Sequence, residues 1–159
     1  MVVITLAKIV KMSWFDHPEL QGSVQQLMEM QKMSDHHRLL SLTAINDLIV
    51  EMSYVQKIKN LTVNRRISLS FRDSALFQVM RMAIELSQNF TQQIITQQAM
   101  SQVSLYNSQG NTLGQGQNGF PGNDGDLLCE SLLLSLSILE KSLSYDFTAV
   151  LLNESLDEP

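Results

Sequence analysis

The chain reads as an all-α protein. It has 3 prolines and 7 glycines in 159 residues, and five of those glycines (Gly110, Gly114, Gly116, Gly119 and Gly122) crowd one segment, so long stretches carry no helix breaker. Apolar residues recur at spacings of three and four instead of alternating, and no turn dipeptide joins two alternating runs as a hairpin requires. Hydrophobic residues make up 44%, enough to furnish the core of one ordinary domain.

In chain order, residues 3–12 and about 19–33 predict two short helices. Between them lies Ser13-Trp14-Phe15-Asp16-His17-Pro18, where the proline and the residue before it favour a turn. The strongest periodicity follows. Leu42, Ile45, Leu48, Ile49, Met52 and Val55 form one stripe, Asn46, Asp47 and Glu51 fall off it toward solvent, and Ser34 or Asp35 stands ready as N-cap, which predicts a helix over about 36–57. A further helix is predicted after Asp73 or Ser74, with Leu76, Val79, Met80, Ala83, Leu86, Phe90 and Ile94 on one face and Arg81, Glu85 and Gln88 off it, reaching about residue 98. The last is predicted to begin at Asp126, a favourable N-cap at the positive end of the helix dipole. Leu128, Leu132, Leu136, Leu139 and Leu143 form its stripe, and Leu127, Leu133, Leu134 and Ile138 widen it enough to predict an interior helix covered on more than one side.

Residues 101–125 differ in composition, being rich in Gln, Asn, Ser and Gly, and read as a disordered insertion. Loop closure costs only about 0.6 kcal/mol per doubling of length, so packed helices tolerate such a segment. The expected organisation is therefore helical repeats over 1–100, the insertion over 101–125, and a continuing repeat with a C-terminal tail over 126–159. Antiparallel helix pairs in units of ~40–47 residues have the size of HEAT-type repeats, so the expected architecture is a partial α-solenoid of such pairs.

Composition narrows the function. Eleven Lys and Arg against 16 Asp and Glu give a net charge of −5, which argues against a broad grip on nucleic-acid phosphates. A single cysteine, Cys129, cannot form an internal disulfide or a cysteine-based zinc site; it points to a reducing compartment and reads as a small buried hydrophobe. The apolar start of the chain is followed, not preceded, by Lys8 and Lys11 and has no small-residue cleavage site, so no signal peptide is expected. Glu130 and several serines interrupt the leucine-rich stretch, so no membrane insertion is expected either.

Candidate chemistry is sparse. Gly114-Gln115-Gly116-Gln117-Asn118-Gly119 matches a phosphate-loop string, but no strand precedes it and no helix N-terminus directly follows. Asn123-Asp124-Gly125-Asp126 fails as a calcium loop because Phe120, Gly122 and Ser131 fall at ligand positions. His36 and His37 are adjacent and so point about 100° apart on a helix, which is wrong for joint chelation, and His17 lacks the partners of a metal set or triad. The expectation is no catalytic site, no metal, no cofactor and no enzymatic activity. The nine methionines fall mostly on helix stripes and read as core filling. Lys57, Lys59, Arg65 and Arg66 form a basic cluster that reads as a solvated linker between helices.

Two strings carry a resemblance: Ile9-Val10-Lys11-Met12-Ser13-Trp14-Phe15-Asp16, and Arg65-Arg66-Ile67-Ser68-Leu69-Ser70-Phe71-Arg72-Asp73-Ser74-Ala75-Leu76-Phe77. In order and spacing they resemble the N-terminal part of the exportin-7 and Ran-binding protein 16/17 family of importin-β-type nuclear transport receptors. Ser144-Tyr145-Asp146-Phe147 continues the likeness weakly. The resemblance implies a segment of a HEAT-repeat solenoid that binds Ran-GTP and protein cargo, meets nucleoporins, and shuttles between nucleus and cytoplasm. A general HEAT-repeat scaffold without Ran dependence is the alternative. Trp14, Phe15, Asp16, Phe71, Arg72, Asp73 and Ser74 are the motif residues, and a structural role is expected for them. Phe71 would dock on the preceding helix, Asp73 would cap the following one, and Arg72 would pair with a carboxylate across the repeat.

Overall fold

The computed structural model describes residues 2–53, 61–108 and 124–145. Every described element is helical, and no strand occurs among the described residues. Helix α1 spans Val2–Met12, a 3-10 turn Pro18–Gly22 leads into α2 (Ser23–Met30), and α3 spans Asp35–Ser53. Helix α4 (Leu61–Phe71) passes through one π-wound stretch, Arg72–Leu76, directly into α5 (Phe77–Ser108), and α6 spans Asp124–Leu143.

The early elements follow their local chemistry. Pro18 sits at the first position of the 3-10 turn, where its missing N–H costs nothing. Ser34 caps α3, its Oγ accepting the His37 backbone N–H at 3.4 Å while its carbonyl accepts that of Arg38 at 2.8 Å. His36 and His37 are exposed in this first turn.

Helix α3 is the centre of the molecule. It packs on α1, α2 and α6, and buries two adjoining stripes, Leu42–Ile45–Ile49–Met52 and Ser41–Ala44–Leu48. The second stripe receives α1 and α2: Ala44 and Leu48 meet Ala7, Val10 and Leu27 around one cleft, and the Ser41 hydroxyl donates to the Leu27 carbonyl. Fully burying each large aliphatic side chain is worth about 1.5–3 kcal/mol, so the first stripe alone is a major part of the fold's stability.

Several expectations change. Asn46 and Glu51 do not face open solvent. Asn46 Oδ1 accepts from Ser137 Oγ (3.1 Å) and Lys141 Nζ (2.7 Å) of α6. Glu51 meets Lys11, whose Nζ donates to the Glu51 carbonyl at 2.6 Å and lies 3.6 Å from its carboxylate. Burial pushes the Lys11 pKa down and the nearby carboxylate opposes that shift. No new helix begins at Asp73 or Ser74, because the chain is already helical from Leu61, and the π winding absorbs one extra residue without a break. Arg65 and Arg66 lie within α4, not in a linker, while Lys57 and Lys59 are outside the described residues. Helix α5 runs to Ser108, into the segment read as an insertion, whose remaining residues 109–123 are outside the described residues, as are 54–57 of the α3 prediction. Helix α6 starts at Asp124, two residues before the expected cap, and Asp126 is an exposed first-turn residue.

Helix α6 is interior in the sense predicted, lying against both α3 and α5, but it is rotated from the leucine stripe. Its covered face is Leu128, Ser131, Ser135, Ile138 and Ser142, while Leu133, Leu136 and Leu143 face solvent. Ser131 and Ser135 satisfy their hydroxyls on their own helix, donating to the Leu127 (2.7 Å) and Leu132 (2.8 Å) carbonyls. A serine so folded back has a small cross-section, which suits a helix that packs on both α3 and α5. Cys129 is exposed, contrary to its expected burial, because it lies on the outer side of the rotated helix.

Candidate interaction surface

The motif residues separate into a buried cluster and an exposed fringe. Trp14, in the turn after α1, is fully buried and donates its indole N–H to Ser70 Oγ at 3.0 Å. Its ring meets Phe71 edge-on with centroids 5.8 Å apart, and Phe71 in turn lies 6.1 Å from Tyr145, just beyond α6. The Tyr145 hydroxyl donates to the Ser68 carbonyl (3.1 Å), and Ser68 Oγ lies 2.7 Å from that hydroxyl. Burial raises the Tyr145 pKa above its usual value, with the Ser68 bond and the Arg72 charge working the other way. Three chain segments distant in sequence are thus tied at one aromatic node with its polar tips satisfied, an arrangement worth about 0.5–1.5 kcal/mol per ring pair beyond area burial.

Phe71 therefore docks on Trp14 and Tyr145. Asp73 caps nothing: it is exposed within a continuous helix, and Arg72 Nε donates to its Oδ1 at 2.8 Å. That neighbour pair replaces the expected contact across the repeat. Ser74 and Asp16 are exposed, and Phe15 is half exposed with the Arg66 guanidinium 5.6 Å above its ring. His17 Nδ1 lies 3.2 Å from Glu19 at the surface. Sequence reasoning did not connect Ser68, Ser70 and Tyr145 with Trp14 and Phe71, nor Lys11 with Glu51 of α3; a lysine at the rear of an apolar helix stripe is the signal that marks Lys11.

The surface offers apolar helix faces. Helix α1 buries Ala7 and Val10 and turns Val2, Leu6, Ile9 and Met12 outward. Beside it a cleft of about 330 Å³ opens between α1, α2 and α3, lined by Val3, Ala7, Leu27, Met30 and Leu48 among others. Helix α6 presents Leu133, Leu136 and Leu143, of which Leu133 and Leu143 are 67% and 70% exposed. Groups of three or more His, Cys, Asp or Glu able to hold a metal are absent among the described residues. No described helix is long and apolar enough to cross a membrane. Such stripes can do one thing chemically: they can be covered by another apolar surface.

The chain matches no family model, no curated protein and no solved structure.

Proposed function

We propose that the chain is a protein–protein interaction segment of a nuclear transport receptor of the exportin-7 type, working within a HEAT-like solenoid that carries protein cargo in a Ran-GTP-dependent cycle and is not an enzyme. The observation that carries the interaction role is the pair of uncovered apolar faces on α1 and α6, since a solenoid unit leaves such faces for its neighbours and partners. Support for the receptor comes from the two motif strings, whose Trp14 and Phe71 meet in one buried contact, as residues of a motif with a structural role must. The charge of −5 suits basic protein partners and disfavours nucleic acid.

The test is the binding of Ran, loaded with GTP or with GDP, to the protein expressed from its complete coding sequence. A preference of about tenfold or more for the GTP form is the expected result. Equal affinity for the two forms, or none, refutes the receptor reading and leaves a general helical scaffold. That alternative is favoured by the placement of α6 between α3 and α5, a packing that any helical scaffold can use.

A further inference from the structure

The two outward faces differ in charge. Helix α1 contains Lys8 and Lys11 and no carboxylate. Lys11 is turned inward to Glu51, so exposed Lys8 alone borders the apolar stripe of Val2, Leu6 and Ile9. On α6, helical spacing places Glu140 between Leu136 and Leu143 and Glu130 beside Leu133, and both glutamates are exposed. The one lysine of α6, Lys141, is turned away to Asn46. One face is therefore apolar with a cationic border, and the other is apolar and anionic.

Pairing α1 with α1 gathers lysines in one contact, and pairing α6 with α6 gathers glutamates; only α1 against α6 brings opposite charges together. We propose that the chain binds a second copy of itself head to tail, the outer face of α1 in one copy lying on the outer face of α6 in the next. The two faces are on different helices, both seated on α3, so one copy presents both at once. A contact of this kind uses different surfaces on its two sides and leaves one of each free, so the assembly grows with concentration beyond a dimer, as an open chain or as a ring where the rotation closes. The proposal does not depend on Ran; in it a second copy takes the place that a neighbouring solenoid unit would fill on the same two faces.

Sedimentation velocity of the full chain across a concentration series tests it, with circular dichroism to check that each variant keeps its helix content. Ile9→Glu and Leu136→Glu change exposed positions and each should leave a monomer. Their equimolar mixture should form a 1:1 dimer and nothing larger, because each variant retains the face the other has lost. Lys8→Glu should weaken association about two- to fivefold, the range of an exposed ion pair, and adding Glu140→Lys to the same chain should restore it. A wild-type monomer at every concentration, a closed dimer, or a mixture that stays monomeric overturns the proposal and leaves the faces to a different partner. An unchanged association in Lys8→Glu overturns the charge matching on which it rests.

Discussion

Helices α3 and α6, of 19 and 20 residues, both carry apolar side chains at nearly every third or fourth position, yet they bury different residues. Helix α3 puts its periodic stripe inside, with Leu42, Ile45, Ile49 and Met52 almost wholly covered. Helix α6 covers Ser131, Ser135 and Ser142 and leaves Leu133, Leu136 and Leu143 in solvent. The difference lies in the neighbours. Four helices, α1, α2, α4 and α6, surround α3 and reward volume, whereas α6 fits between two large helices, where small side chains allow close approach. Periodicity locates a helix, and its surroundings select the face.

Substitutions can break this contrast, and the largest effect belongs to α3. Ile45→Ala should lower the unfolding free energy by about 2–5 kcal/mol in a urea titration, through lost burial and the cavity left behind. A loss below 1 kcal/mol would show that the α3 stripe is not the core. Ser135→Leu extends the leucine pattern of α6 and would look stabilising on paper; it should instead cost about 1–3 kcal/mol by overpacking the contact with α3 and α5. A neutral result there would mean that α6 is free to turn its leucines inward.

Smaller effects sharpen the account of the face that α6 covers. Tyr145→Phe removes the hydroxyl that donates to Ser68 and should cost about 1 kcal/mol at neutral pH. The folded-state pKa of Tyr145 is raised, so its contribution is complete below the ordinary tyrosine pKa, near 10, and is lost as pH climbs through the folded value. The Tm difference between wild type and Tyr145→Phe should therefore shrink above pH ~10; a difference that grows there would reverse the sign of the shift. Ser142 Oγ is buried and finds no partner among the described residues, so Ser142→Ala should stabilise the fold by up to about 1 kcal/mol. Smallest of all, Leu136→Ala should change stability by no more than about 0.5 kcal/mol while weakening self-association, which separates surface from core on a single helix.

Much of the fold is legible in the residues. The all-helical class, the turn at Pro18, the α3 stripe with its Ser34 cap, and the buried positions Leu76 of the π-wound stretch and Val79, Ala83 and Phe90 of α5 all follow from spacing and breaker chemistry. The site is less legible. Trp14 and Phe71 stand out as motif residues, but their meeting, and the part played by Tyr145, depends on segments 57 and 74 residues apart that no local pattern connects. Asp73 shows the limit from the other side: a good cap residue before an apolar run predicts a helix start, and a preceding helix that never stopped removes the orphan amides it would have served.

By itself the sequence determined where most of the helices form, α4 excepted, because breakers, caps and three-to-four spacing act within a few residues of one another. Only the tertiary structure decided that Lys11 reaches Glu51, that Asn46 anchors α6, and which side of α6 is covered. On a helix with leucines around most of its circumference, several rotations bury similar apolar area. The choice among them is made by shape against α5 and α3 and by hydrogen bonding to α3, some 90 residues away in sequence, where Asn46 accepts from Ser137 and Lys141.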